Sequence, residues 1–366
     1  MDRPLPTIPQ DITPFDRRRG RGSLSNQTGR YERHTRSEAD DGWACLANLP
    51  AFKTEVRDEI ARTILSANDS PDISFDRSIN PYRGCEHGCI YCYARPTHCY
   101  LGHSAGIDFE TKLTAKINAA SLLEQTLTAP GYEPKTIALG AVTDPYQPIE
   151  RDKRITRALL EVLSQTNHPV GIVTKSAGVL RDLDILASMA QRGLVRVAIS
   201  LTTLDRTLAR SMEPRAASPG RRLKAMELLA AAGVPVTVMV APIIPGLNDA
   251  EIEQILQTAR DNGASQAGYV TLRLPLEIKQ LFREWLMANF PDRAGRVMHH
   301  IQSMHGGQDY VATFGHRQRG SGPYAELIAN RFKLARRRLK LDQPQNALRC
   351  DLFASPTVKG GQYRLL

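Results

Sequence analysis

The sequence has no apolar run long enough to cross a bilayer. Its longest, Val234 to Leu247, covers fourteen residues and is broken by Pro242 and Pro245, where a spanning helix needs about 20. The first residues, MDRPLPTIPQD, carry an acid and prolines but no apolar stretch, so they lack the layout of a secretory signal and a cytoplasmic protein is expected. Aromatic residues make up only 6% of the chain, with two tryptophans, and there is no repeated Cys-x2-Cys pair of the kind that holds structural zinc. Cysteine is scarce, six in 366 residues, which argues against a disulfide framework and for a reducing compartment.

The rest of the composition is ordinary, with 42% hydrophobic and 23% charged residues, as in soluble globular enzymes. Net charge is +10, which attracts polyanions. It concentrates in Arg17, Arg18, Arg19, Arg21, Arg30, Arg33 and Arg36, and again in Arg331, Lys333, Arg336, Arg337, Arg338 and Lys340. Each group reads either as a solvated surface or as a nucleic-acid contact.

Residues 1 to about 40 are rich in Arg, Gly, Ser and Pro and offer little apolar surface to bury. From Ser78 onward short β-branched runs alternate with helical periods. Strands are predicted at Ser78–Tyr82, Thr136–Val142, Val170–Thr174, Val195–Leu201, Val236–Ala241 and Gly268–Leu272. Helices are predicted at Lys112–Leu127, Ile155–Leu163, Gly178–Ala190, Arg221–Ala232, Ala250–Asp261 and Leu276–Asn289. Six strand–helix units with right-handed crossovers either curl toward a barrel or open into a doubly wound sheet. In both, functional loops gather at the carboxyl ends of the strands. There the sequence is polar: Thr143-Asp144-Pro145 after the second strand, Thr174-Lys175-Ser176 after the third, and Ser200 closing the fourth.

Three of the six cysteines, Cys85, Cys89 and Cys92, fall within eight residues in the segment RGCEHGCIYCY. Soft thiolates select iron–sulfur clusters, zinc or copper(I). Three thiol ligands leave one metal position open, as reactive sites do; a structural zinc completed by His87, His98 or Cys99 is the alternative.

Cys-x3-Cys-x-aromatic-Cys after a first strand resembles the signature of the radical S-adenosylmethionine (SAM) superfamily. The resemblance implies a partial (β/α)6 TIM-like barrel over residues 66–273, with a basic, partly disordered extension at 1–65 and a mainly helical cap at 274–366. It implies a 4Fe-4S cluster on Cys85, Cys89 and Cys92, and S-adenosyl-L-methionine cleaved reductively to a 5'-deoxyadenosyl radical that abstracts hydrogen from a substrate. An electron donor such as flavodoxin or ferredoxin is implied as a partner.

Within that superfamily, Cys92-Tyr93, Thr143-Asp144, Val173-Thr174-Lys175, Ile199-Ser200, Glu213-Pro214 and Val240-Ala241-Pro242-Ile243 stand in the order of the spore photoproduct lyase branch, labelled DNA repair photolyases. That likeness implies that Lys175 pairs with the cofactor's carboxylate, that Ser200 bonds its ribose, that Thr143 and Asp144 line its polar side, and that Tyr91 and Tyr93 flank the cluster and pass the radical. Each has a plainer role open to it: a turn cap for Asp144, a solvated lysine for Lys175, packing for either tyrosine. The lyase's hydrogen-donor cysteine stands where this chain has Ala141, so the same repair route is not expected. Cys99 is a candidate substitute donor or an ordinary apolar residue.

Three functions remain: radical chemistry on a nucleic acid, radical modification of a peptide or metabolite, and a non-enzymatic zinc or iron–sulfur protein binding nucleic acid. No membrane partner is expected. The pair His299-His300, the loop Gly315–Gly322 and the basic helix near Arg331–Lys340 read as a lid or substrate-binding cap.

Overall fold

The computed structural model describes residues 12–35 and 50–356; Arg36 and Cys45 lie outside them. Among the described residues ten strands form two sheets: β1 (Glu55–Glu59), β2 (Leu65–Ala67), β3 (Arg77–Ile79), β4 (Tyr82–Arg83), β5 (Lys112–Lys116), β6 (Ile137–Leu139), β7 (Val170–Thr174), β8 (Val195–Ser200), β9 (Val236–Ile243) and β10 (Gln266–Thr271). The larger sheet runs β10-β9-β8-β7-β6-β3-β2, parallel except for the β2–β3 pair. Its six parallel strands lie in chain order. A doubly wound sheet would reverse that order at a switch point, so the structure decides for the partial, unclosed barrel.

These strands are near-continuous apolar runs because helices cover one side and the barrel interior the other. Ile137, Leu139, Val170, Ile172, Val197, Ile199, Val236 and Val238 are all buried in one core cluster. Helices such as Ile155–Gln165, Pro219–Ala231 and Ile252–Asp261 add Leu159, Leu160, Met226, Leu229, Ile255 and Leu256 to it. Among the described residues no helix is long and apolar enough to cross a membrane.

Four expectations change. The first predicted strand splits into β3 and β4, which joins the smaller sheet β1-β5-β4. Pro81 between them has no N–H for a ladder, and the Asn80 side chain instead accepts from the Val142 and Thr143 amides. Residues 112–116 are a strand, not the start of a helix: in KLTAK, Leu113 and Ala115 point inward and alternate with polar neighbours, a period of two. The helix begins only at Ala119.

The basic arm also buries more than its composition suggests. Arg21, Ser23, Leu24 and Ser25 are buried, and polar bonds to the core replace the missing apolar contact. Finally, helix Pro323–Arg338 does not stand over the mouth as a lid. It packs Ile328, Phe332 and Ala335 into the main core, with Phe332 4.6 Å from Tyr269 of the edge strand β10.

Candidate active site

The cysteine loop leaves β4 through Gly84, whose φ of +73° and close neighbours Phe109 O and Leu113 leave no room for a side chain. The Cys85 amide bonds Phe109 O at 2.9 Å and the Ile90 amide bonds Met212 O at 3.0 Å. Gln147 clamps the loop from the second strand's connection, accepting from the Glu86 amide and donating to Gly84 O. The main brace is Arg95, fully buried, whose five N–H groups all have acceptors: Cys89 O, Gly88 O, Ala105 O, Gly106 O and the Glu110 carboxylate.

Glu110, itself buried, receives the Gly22 and Ser23 amides at 2.9 Å each. The arm thereby becomes part of the loop's support. A Cβ on Gly22 would stand 1.8 Å from Gly88 O, so only glycine passes there.

Cys85 and Cys89 are buried and Cys92 is half-buried. Burial pushes the Cys89 thiol up to about 12, with the Glu213 charge adding to it and Lys175 opposing it. Burial, with Asp144 next, also raises Cys85. Thiols so placed ionise readily only when a metal takes the charge. The three interact electrostatically with one another. Among the described residues no three His, Cys, Asp or Glu side chains converge as one shared ion needs. Three soft thiolate donors on one short loop fit an iron–sulfur cluster, in which each would ligate its own iron.

The strand ends meet this loop through Asp144. Its carboxylate accepts from Thr174 Oγ1 and the Lys175 amide at 2.7 Å and from the Tyr146 amide at 2.9 Å, and lies 3.3 Å from His87 Nδ1 inside the cysteine loop. Burial would raise its pKa, but His87 and these donors hold it at about 2. Asp144 therefore caps a turn and ties β6, β7 and the loop together. Thr143 is buried with its hydroxyl donating to Tyr82 O. The Lys175 ammonium lies 5.7 Å from the centre of the Tyr91 ring and has no hydrogen-bond or ion-pair partner among the described residues. Ser200 is buried at the end of β8, its carbonyl accepting from Arg222.

The Tyr91 hydroxyl donates to Glu213, which also accepts from Thr202 and pairs with Arg222. Glu213 and Arg222 are both buried. Burial opposes ionisation of Glu213, yet the Arg222 and Lys175 charges hold it at about 2. Tyr93, in contrast, is 45% exposed. Its hydroxyl donates to the backbone oxygen of Ala141, and the Arg273 guanidinium lies 4.8 Å over its ring. Cys99 lies outside this group, fully buried in an apolar cluster with Ile90 and Ile278, which suits packing and not reaction at the mouth. His299 and His300 lie apart from the site, with His300 stacked on Tyr324.

Local sequence does not mark Arg95, Glu110, Arg222 and Arg273 for the site, and Glu213-Pro214 stands there only as a match to the lyase branch. Their partners lie far along the chain, so no local spacing marks them. The one available signal was an arginine three residues after the last cysteine.

The Radical SAM superfamily model matches residues 79–259. Residues 79–259 form a radical SAM domain. Uncharacterized proteins of Mycobacterium tuberculosis and Mycobacterium bovis are 36% identical over 226 residues, 61% of this chain and 66% of theirs, so just under two thirds of the relatives' length is matched. An uncharacterized protein of Methanocaldococcus jannaschii is 27% identical over 58% of this chain and 76% of its own. Among solved structures, a mutant of spore photoproduct lyase aligns with a TM-score of 0.57 at 17% identity, covering 84% of this chain and 85% of its own. The likeness to the lyase is one of fold.

Proposed function

We propose that the radical SAM domain is that of an enzyme holding a 4Fe-4S cluster on Cys85, Cys89 and Cys92, with S-adenosylmethionine across the ends of β6, β7 and β8. The observation that carries this is three mutually interacting soft thiols, with Cys89 near the half-buried Lys175 ammonium, which has no hydrogen-bond or ion-pair partner among the described residues. When bound, these groups supply reductive cleavage of the cofactor's sulfur–carbon bond and hydrogen abstraction from a substrate.

The residues' parts follow from their positions. Lys175 would take the cofactor's carboxylate, because a half-buried cation with no hydrogen-bonded carboxylate of its own among the described residues favours an anion. Ser200 would reach the ribose from the next strand end. Asp144 and Thr143, with their own bonds satisfied inside the protein, would shape the floor more than contact the cofactor. Tyr91 is held by Glu213 against Lys175, while Tyr93 faces the opening beside Arg273.

Tyr93 and Arg273 would meet the substrate. Arg273 has no hydrogen-bonded carboxylate among the described residues and suits an anionic group, which with the net charge of +10 favours a nucleotide or nucleic acid over a peptide. With Ala141 in the lyase's cysteine position, the product hydrogen would come from Tyr93 or from the cofactor.

The test is anaerobic reconstitution, with iron and sulfide assay, then 5'-deoxyadenosine released from S-adenosylmethionine under dithionite. Release by the wild type and loss of both iron and release in Cys89→Ala is the expected result. Zinc without iron, or a cluster that never cleaves the cofactor, would replace this reading with a structural site in a nucleic-acid-binding protein.

A further inference from the structure

We propose that an arginine-lined cavity behind the cysteine loop is the docking surface for an acidic one-electron carrier protein, an inference that rests on the radical reading above. The cavity, about 1230 Å³, is walled by the arm, the connections after β6 and β7, and residues 206–221. Nine arginines line it against two glutamates, and both glutamates are already paired, Glu150 with Arg181 and Glu213 with Arg222. Arg19, Arg151, Arg206, Arg210 and Arg221 are exposed and have no acidic partner among the described residues.

The cavity adjoins the mouth, since Ser176 and Glu213 line it, but it does not take in the residues assigned to the cofactor and the substrate. None of Thr143, Lys175, Ser200, Tyr91 or Tyr93 lines the cavity, whereas His87, between Cys85 and Cys89, forms part of its wall. A cofactor and a substrate in the mouth would close that approach to the thiols, so the electron must arrive by another face. This one brings solvent to the back of the same loop. One electron leaves the carrier, which is oxidised, and enters the cluster, which is reduced; no bond is made or broken.

The chemistry of the wall favours an acidic protein over a nucleic acid. Unpaired rim arginines raise the rate of encounter with an oppositely charged partner by about 10 to 1000-fold, and transient redox complexes need only a small interface. A single-stranded nucleic acid wants successive aromatic platforms. Here Tyr146 and Trp285 are buried, which leaves Phe15 as the exposed ring of the lining.

The test uses the full chain and a triple variant, Arg206→Glu, Arg210→Glu and Arg221→Glu, whose side chains face solvent. Cluster bleaching is followed after mixing with a reduced acidic flavodoxin or ferredoxin, and separately with dithionite. Expected is a carrier-driven rate that falls with salt in the wild type and falls about tenfold or more in the variant, with the dithionite rate unchanged. Equal carrier rates in the two proteins would overturn the proposal. So would an unchanged carrier rate together with lost binding of a single-stranded oligonucleotide. If no cluster forms, the radical reading fails, and titration of the isotope-labelled carrier by NMR still decides: binding weakened in the variant keeps the surface, and no binding by the wild type removes it.

Discussion

The parallel sheet and the cysteine loop are equally buried but held by different forces. The sheet is held by Ile, Val and Leu from β6 to β9 and from the helices that cover them, each contributing about 1.5–3 kcal/mol by leaving water. The loop is closed by charge: Arg95 on Glu110, and behind the mouth Arg222 on Glu213. A buried ion pair stabilises little by itself, since desolvation costs about what attraction returns, but removing one member is severe. The sheet should therefore weaken by degrees, while the loop is intact or lost. A region that must hold three thiols in fixed relation gains from the second kind of construction.

The sharpest way to break this contrast is Glu110→Ala. It strands the Arg95 guanidinium and the Gly22 and Ser23 amides together, and an expected loss of about 3–5 kcal/mol is read by urea unfolding. Iron content should fall with it, because the arm and the loop share this carboxylate. Glu110→Gln, which keeps one acceptor oxygen but sets an NH2 against the other amide N–H, should recover only part of that loss. A change below about 1 kcal/mol in Glu110→Ala would mean that the loop stands without its brace.

Leu160→Ala is the matching cut in the sheet's cover. Leu160 is fully buried, and the cavity left costs about 2–5 kcal/mol depending on how far the neighbours relax. Here the folded fraction should still bind its full iron, which unfolding curves and metal assay on the same sample would show. Lost iron in the folded fraction would tie the loop to the core after all.

The division also explains what was legible in the sequence. Strands such as β7 and β8 were readable because apolar runs of five or six residues between helical periods have few other meanings. The three cysteines were readable because their spacing is local. The arm's role was hidden: Arg21-Gly22-Ser23 meets Glu110 nearly ninety residues on, and composition reports only that such a segment lacks apolar surface. Glu213 was visible as a motif but not as a buried acid, since its charge is compensated by Arg222 from the following helix and Lys175 from another strand. β5 was a plain misreading, a five-residue alternation absorbed into the helix behind it.

Acid should separate the groups in order. Burial lowers His98, with His103 adding, and lowers His168, both to about 4. Their neutral forms belong to the fold, so this contribution is complete above an unfolded pKa of about 6.5 and is lost as pH falls toward 4. Asp144 and Glu213, held at about 2, contribute above the ordinary carboxylate range and lose about 2 kcal/mol each only as pH falls from about 4.5 toward 2. Unfolding free energy against pH should thus fall in two limbs, and His168→Phe should flatten the first alone. A single limb below pH 4 would place the imidazoles in water.

The smallest expected effects come from the two tyrosines, and they divide along the same line. Tyr91→Phe removes a donor from buried Glu213, costing about 1–3 kcal/mol. Tyr93→Phe removes a bond at a side chain that is 45% exposed, and its stability should change by less than about 0.5 kcal/mol. That near-silence makes Tyr93 informative. Loss of substrate turnover in Tyr93→Phe, with melting temperature, iron content and cofactor cleavage all kept, would assign the hydroxyl to the reaction. Full turnover would leave its ring as a platform for Arg273 and nothing more.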